Sequence, residues 1–425
     1  MILIRNAKLL TPRGVVEEDL LIENGRIVSI GGGKDKSDVV IDGSRKAVIP
    51  GFFNTHTHAA MTLFRSYADD MVLHEWLEKR IWPLEAMLDA DAVYWGTKLA
   101  CVEMLKSGTV FFNDMYFFPE AVAKAVEECG IRACISAAFF DFFNPDLLEE
   151  NLKNAVKTLK DIEKYDVLRA IGPHAVYTVS LDGLKRAAEI AEEMDNFIHF
   201  HLAETEREVL DFKKQHGKLI VQALDEIGFL SKRLIAAHSV WLEDAEIELL
   251  AKRGVSVSHC PTSNMKLCVG KAINYEKMRQ EGVNFTIGTD GAASNNNLDM
   301  LEEMKFAALL QKFYYDNPTL MRAKEAFEAA TVNGAKAFGI KSGLIEEGYE
   351  ADVVLVDLTR PFMQPEHSLI ANLVYAASSG CVDTVIVKGE VVVENGMMVK
   401  EDEAEIIKKA GKVVEKLTGS EEQSS

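Results

Sequence analysis

The six cysteines of this chain, Cys101, Cys129, Cys134, Cys260, Cys268 and Cys381, are scattered and include no Cys-x-x-Cys pair. That spacing argues against a disulfide framework and fits buried thiols in a reducing compartment. No apolar run approaches the roughly 18 residues needed to span a bilayer. The opening Met1-Ile2-Leu3-Ile4-Arg5-Asn6 lacks a basic region, an apolar stretch and a cleavage site, so no signal peptide is read. Positive charge is in deficit: 47 Lys and Arg against 66 Asp and Glu leave a net charge of −19. Such a surface repels phosphate backbones and anionic lipid, which sets nucleic acid and membranes aside as partners. No internal repeat of fixed period occurs. What is present is ordinary globular material, 48% apolar and 27% charged over 425 residues. That is length for two or three domains, and a cytoplasmic protein is expected.

The first 50 residues read as short strands broken by turns. Ile2–Ile4, Leu20–Ile22 and Arg26–Ile30 are β-prone, and Glu23-Asn24-Gly25 carries an Asn-Gly hairpin signal. Gly31-Gly32-Gly33 is followed by charge rather than a helix and reads as a turn, not a phosphate loop. From residue 51 strand-like runs alternate with amphipathic stretches. The strands are expected at Ala47–Phe53, Thr109–Asp114, Arg132–Phe139, Arg169–Pro173, Phe197–Leu202, Leu234–His238, Val255–His259 and Val283–Thr289. Eight strands alternating with helices imply parallel pairing and favour an α/β fold of the (β/α)8 TIM-barrel type, residues 51–342. After Gly339 the β texture returns. Residues 1–50 and 343–400 are expected to form one small β-sandwich domain from both chain ends. A helix over Glu403–Leu417 and a polar tail, expected to fray, make up residues 401–425.

The histidines gather at strand ends. His56 and His58 follow the first barrel run, and a period of two puts both imidazoles on one face, at the barrel mouth. His201 ends the fifth predicted strand and Asp290 the eighth. Together His56, His58, His201 and Asp290 would supply three nitrogens and one oxygen, a set that suits zinc with a position open for water. His199 and His201 both point inward. His201, nearer the mouth, is taken as the ligand and His199 as an interior histidine one layer lower. Glu204, just past His201, suits a general acid/base, against the alternative of a solvated charge beside Glu206 and Glu208. His238 ends the sixth strand and would be either a further ligand or the group that orients and deprotonates the water. His174 ends the fourth and would contact substrate. His259 reads as packing, His74 and His216 as surface residues, and His367, next to the small β domain, carries no signal. Cys260 lacks the base and orienting group of a nucleophile pair.

These residues together resemble the amidohydrolase superfamily, over nearly the whole length. Carrying segments are Pro50-Gly51-Phe52-Phe53-Asn54-Thr55-His56-Thr57-His58, His201, His238, Asp290 and the return Ser342–Asp352. Binuclear members bridge their metals at the fourth strand end with a lysine or glutamate; here Gly172-Pro173-His174 stands there, which implies one metal per chain. Closer still, the chain resembles the 5′-methylthioadenosine/S-adenosylhomocysteine deaminases, including archaeal-type 5′-deoxyadenosine deaminases. The segments are His56–Arg65, Glu75-Trp76-Leu77, Trp82–Glu85, His201–Thr205 and Gly288–Asn296. That resemblance implies that Glu85 binds the ribose hydroxyls, that His174 contacts the nucleoside and that His238 bonds the hydrolytic water. It also implies a homo-oligomer, dimer or tetramer, although no interface stripe stands out.

The resemblance implies zinc-dependent hydrolytic deamination of the adenine ring of a small nucleoside, with another divalent metal as the alternative. Glu204 would protonate N1, and His238 and Asp290 would hold the water and accept its proton. One departure concerns the 5′ group. Members that accept S-adenosylhomocysteine can hold its carboxylate with arginines after the third strand, but no Arg occurs between Arg132 and Arg169. Phe139, Phe140, Phe142 and Phe143 stand there instead and would suit an apolar 5′ group, with Arg65 the remaining partner for a carboxylate. The rivals are a mononuclear relative acting on guanine, cytosine or a triazine, and a non-catalytic barrel that only binds.

Overall fold

The structure, a computed structural model, describes residues 1–32 and 37–419, apart from the side chain of His74. Gly33 of the glycine turn and the polar tail from residue 420 lie outside the described residues, as does the surface reading of His74.

The two chain ends build one sheet. Its strands are β1 (Ile2–Thr11), β2 (Gly14–Glu23), β3 (Arg26–Ile30), β4 (Val39–Asp42) and β5 (Lys46–Pro50). At the far end of the chain, after the barrel's β6–β13, come β14 (Val353–Asp357), β15 (Val382–Val387), β16 (Glu390–Glu394) and β17 (Met397–Met398). The ladder runs β17-β16-β15-β14-β5-β1-β2-β3, with β4 also on β1. Asn24 (φ 50°) and Gly25 (φ 73°) form the left-handed two-residue turn between β2 and β3 that the Asn-Gly pair predicts. The two faces expected of a sandwich belong to one continuous ladder curled on itself. Ile4, Leu9, Leu20 and Ile27 meet Val353, Leu355 and Ile386 in a single apolar cluster. The Ala351 N–H bonds the Gly25 carbonyl where the curl closes.

The barrel strands are β6 (Phe52–Thr57), β7 (Thr109–Tyr116), β8 (Arg132–Phe139), β9 (Leu168–Pro173), β10 (Phe197–Leu202), β11 (Leu234–His238), β12 (Ser256–His259) and β13 (Asn284–Ile287). Each pairs in parallel with the next. The expected strand Ala47–Phe53 is in fact two. The Gly51 N–H bonds the Asp352 carbonyl and the Phe52 N–H bonds the Gly108 carbonyl, so the chain passes from the small sheet into the barrel at Gly51. A side chain there would run into Val110.

No regular ladder joins β13 to β6, and the seam is stitched otherwise. The Asp290 N–H donates to the His56 carbonyl at 3.0 Å. The Thr289 N–H donates to Asn54 Oδ1 at 3.0 Å and Thr55 Oγ1 to the Ile287 carbonyl at 3.0 Å. Gly288 permits this approach, since a Cβ there would sit 2.7 Å from His56 N and 2.8 Å from His56 O. It also explains why the strand expected over Val283–Thr289 stops at Ile287.

The bottom of the barrel is filled by aromatic rings. Phe53 stacks on Phe111 at 5.2 Å, and Phe338 meets Phe111 at 4.6 Å and Phe197 at 5.2 Å. With that end filled, the ligand-bearing strand ends open only at the top. The segments 361–381 and Glu403–Gly419 send Met363, Leu373, Val374, Ile406 and Leu417 into the barrel's apolar cluster, not the small sheet's. All six cysteines are unpaired; five are buried, but Cys268 is exposed, in a left-handed turn after the helix Pro261–Lys266. No helix of the described residues is long and apolar enough to cross a membrane.

Candidate active site

Three ring nitrogens and one carboxylate oxygen converge at the top of the barrel. Asp290 Oδ1 lies 3.3 Å from His56 Nε2 and 3.3 Å from His58 Nε2. His58 Nε2 lies 3.3 Å from His201 Nε2. The far nitrogens are all engaged. The Nδ1–H of His58 donates to the Met115 carbonyl at 2.6 Å, and that of His201 to the His174 carbonyl at 2.9 Å. A carbonyl only accepts, so both rings carry a proton on Nδ1 and turn Nε2 inward. His56 Nδ1 lies 2.7 Å from His199 Nε2, while the buried His56 Nε2 has no hydrogen-bond partner. An orphaned buried acceptor beside two others and a carboxylate is the donor set of a divalent cation. His56, His58 and His201 form a group able to hold a metal ion.

Asp290 (φ 59°) is fixed from behind: Oδ2 accepts from Ser263 Oγ at 2.5 Å and Ser294 Oγ at 3.0 Å. Burial works to raise its pKa, but the His56 and His58 imidazoles 3.3 Å away prevail and hold it well below the usual range. The same contact lifts His58 to about 9 against its own burial, so a cation taken up at Nε2 displaces a proton. Burial outweighs Asp290 at His56, lowering it to about 4, and holds His201 well below its ordinary value.

Glu204 and His238 face this centre from neighbouring strand ends, with Glu204 Oε1 3.9 Å from His238 Nδ1. Both are buried. Burial, reinforced by Asp290, raises the Glu204 pKa, the direction a proton donor near neutral pH needs. His238 Nδ1 sits 2.9 Å from Asn264 Oδ1, which accepts the ring proton and leaves Nε2 free for a water. The residue has φ 64°, and this left-handed turn swings its ring over the barrel mouth.

The cleft above holds ≈ 730 Å³ counted out to open solvent. His58, His201, Asp290, Glu204 and His238 line one side of it, and Glu85 and His174 line it too. Glu85 Oε1 accepts from Tyr116 OH at 2.9 Å, and burial raises its pKa to about 7. His174 Nδ1 lies 2.9 Å from Thr178 Oγ1, and burial lowers its pKa to about 3, so it is neutral. Leu73, Trp76, Leu77, Phe117, Phe140 and Leu267 supply apolar wall, and among the described residues no Lys or Arg lines the cleft.

Seven of the eight site residues proposed from the sequence line this cleft, and the eighth, His56, is buried against His201 with ring centroids 4.9 Å apart, while some of their neighbours lie elsewhere. Arg65 is not in the wall: its guanidinium is taken up by Glu103 and the Asn296 carbonyl. Phe140 lines the cleft, Phe139 is buried, and Phe142 and Phe143 are exposed. His259 is buried against Phe285, at 5.7 Å between rings. His216 packs on Phe212 at 4.3 Å, and His367 is exposed. Sequence reasoning missed Asn264, Ser263, Ser294 and Tyr116. Ser294 lies in the quoted Gly288–Asn296 segment, but nothing in residue type or spacing says that its hydroxyl grips a carboxylate.

Residues 47–392 match the amidohydrolase family. The 5-methylthioadenosine/S-adenosylhomocysteine deaminase 1 of Archaeoglobus fulgidus is 83% identical over 421 residues, 99% of this chain and 100% of that protein. The 5′-deoxyadenosine deaminase of Methanosarcina mazei is 45% identical over 98% of both. Among solved structures, an adenosine deaminase from Xanthomonas campestris with bound zinc superposes with a TM-score of 0.93. It is 35% identical over 98% of each chain.

Proposed function

The chain belongs to the amidohydrolase family, and from that premise we propose that it is a hydrolytic deaminase of 5′-modified adenosines. The observation that carries this is the convergence of His56, His58 and His201 Nε2 with Asp290 Oδ1, with Glu204 and His238 facing the same cleft. His56, His58, His201 and Asp290 would hold one zinc ion. Bound there, zinc supplies the Lewis acidity that lets water act as a nucleophile near pH 7.

The protein's own groups do the rest. His238, its Nδ1 proton held by Asn264, turns Nε2 toward the attacking water, and Asp290 stands beside it to take the water's proton. Glu204, whose burial favours its protonated form, gives a proton to N1 as C6 is attacked, which removes the charge that would otherwise build on the ring. The proton taken from water then reaches the departing amine, and as ammonia leaves, the C6 hydroxyl proton returns to Glu204, which leaves N1–H and C6=O in the hypoxanthine nucleoside. Glu85, steadied by Tyr116, accepts from the ribose hydroxyls, and the neutral His174 donates to or accepts from the nucleoside.

The 5′ end of the substrate faces walls without a cation. A methyl or methylthio group there buries apolar surface, whereas a free amino-acid carboxylate would lose its hydration without a partner. 5′-Deoxyadenosine and 5′-methylthioadenosine are therefore the preferred substrates, ahead of S-adenosylhomocysteine and adenosine. An ultraviolet assay of zinc-loaded protein on these four, adenine and guanine tests the reading. The expected order in kcat/KM places the two apolar 5′ groups first. Turnover of free bases alone would overturn the ribosyl assignment, and turnover of none would overturn the deaminase itself.

A further inference from the structure

Glu208 is a buried carboxylate that takes no part in the chemistry above, yet it grips the turn on which that chemistry depends. It is the third residue of the helix Glu206–His216, whose N-cap Thr205 accepts from the Glu208 N–H. From there its side chain folds back toward the barrel. Oε1 accepts from the Ala203 N–H at 3.0 Å and Oε2 from the Glu204 N–H at 2.8 Å. Both oxygens are thus spent on two consecutive backbone donors of the β10–helix turn.

That turn needs holding. Ala203 has φ 46°, a left-handed conformation that is strained for a residue with a Cβ. The other side of the same segment is tied to the next strand end. The Ala203 carbonyl accepts from the Val240 N–H at 3.1 Å and the Trp241 N–H at 2.9 Å, and the Leu202 carbonyl from the Ser239 N–H at 2.8 Å. His238 (φ 64°) and Ser239 (φ 52°) are left-handed as well. One carboxylate therefore clamps the donor side of a peptide whose acceptor side fixes the turn carrying His238.

We propose that Glu208 is a positioning residue that holds Glu204 in register with His238 across the β10–β11 junction. The inference rests on the assignment of Glu204 as proton donor and of His238 as the group that orients water. A carboxylate suits the task because it offers two acceptors and no donor. Its place in the first turn of a helix adds favourable dipole interaction. Glutamine cannot replace it, because its amide would set a donor against one of the two N–H groups.

The test is Glu208→Gln in the zinc-loaded protein, run beside Glu204→Gln and the double variant, with 5′-deoxyadenosine as substrate. Glu208→Gln should lower kcat about 10- to 100-fold, with KM within threefold and zinc still at one per chain. Because Glu208 acts through Glu204, adding Glu208→Gln to Glu204→Gln should lower the residual rate by less than threefold. A multiplicative loss in the double variant, or wild-type kcat in Glu208→Gln, would overturn the proposal while leaving Glu204 as the donor. Full activity in Glu204→Gln would overturn the donor assignment instead. Should Glu208→Gln fail to fold, Glu208→Asp keeps two acceptors on a shorter stem. The same criteria then apply, with an expected loss in kcat of about 3- to 10-fold.

Discussion

His56 Nδ1 lies 2.7 Å from His199 Nε2, and His199 Nδ1 lies 3.1 Å from Ser136 Oγ. His56 can offer Nε2 to a cation only with its proton on Nδ1. His199 must then accept at Nε2 and carry its own proton on Nδ1, toward Ser136. The imidazole one layer below the ligands thus sets the tautomer of a ligand. Replacing it, as in His199→Leu, should weaken zinc binding about 10- to 100-fold in a chelator competition with the fold intact. Unchanged affinity would mean that His56 keeps its tautomer without this partner.

Glu204→Gln keeps the size of the side chain and removes its proton donor. Zinc stoichiometry should stay at one per chain while kcat falls by about 10² to 10⁴. Retained turnover of 5′-deoxyadenosine would show that the proton at N1 comes from elsewhere.

Glu85, at about 7, crosses from acid to carboxylate in the physiological range. Only the ionised form offers both oxygens to ribose hydroxyls, so KM for 5′-deoxyadenosine should fall as pH rises from 6 to 8. Glu85→Gln should flatten that dependence and raise KM about tenfold at pH 8, the equivalent of one lost hydrogen bond to a charged group. A KM that ignores pH in the unmodified protein would remove Glu85 from the sugar site.

Glu303 supplies a prediction about stability. It is fully buried, accepting from Asn295 Nδ2 at 2.7 Å, and burial raises its pKa to about 8. Between about pH 4.5 and 8 the folded protein keeps a proton that the unfolded chain has released. Raising the pH through that window therefore favours unfolding, by at most about 1.4 kcal/mol per pH unit from this group. The contribution is complete below pH 4.5 and gone above 8. Urea unfolding at pH 5 to 8 should show the decline, and Glu303→Gln should make it shallower. Glu85 and Glu208, both raised to about 7, add to the slope in the unmodified protein.

Arg65 is committed to Glu103 and Asn296, away from the cleft. Arg65→Met should therefore leave the ratio of kcat/KM for S-adenosylhomocysteine and 5′-methylthioadenosine within twofold of the unmodified value. A selective loss for S-adenosylhomocysteine would mean that the arginine leaves its partners when that substrate binds.

Local signals carry far where they are strong. Asn24-Gly25 specifies a left-handed hairpin turn that few other pairs adopt, and the short apolar runs of β8, β10 and β11 announce strands that keep their expected bounds. The histidine spacing marks the barrel mouth because alternate residues of a strand share a face. The break at Gly51 and the stop at Ile287 were not legible. Both depend on how closely two backbones approach across a seam, at Asp352 in one case and His56 in the other.

By itself, then, the sequence determined the alternation of strands and helices, the return to the small sheet and the residue types at each strand end. Those follow from local periodicity and turn chemistry. Only the tertiary structure decided which nitrogen of each histidine faces inward, that two serines lock Asp290, that Arg65 is spent elsewhere and that Glu208 braces the Glu204 turn. Those outcomes rest on contacts between residues distant along the chain or folded back across a turn. No one-dimensional pattern encodes the direction of a hydrogen bond, which is fixed only once the barrel has closed.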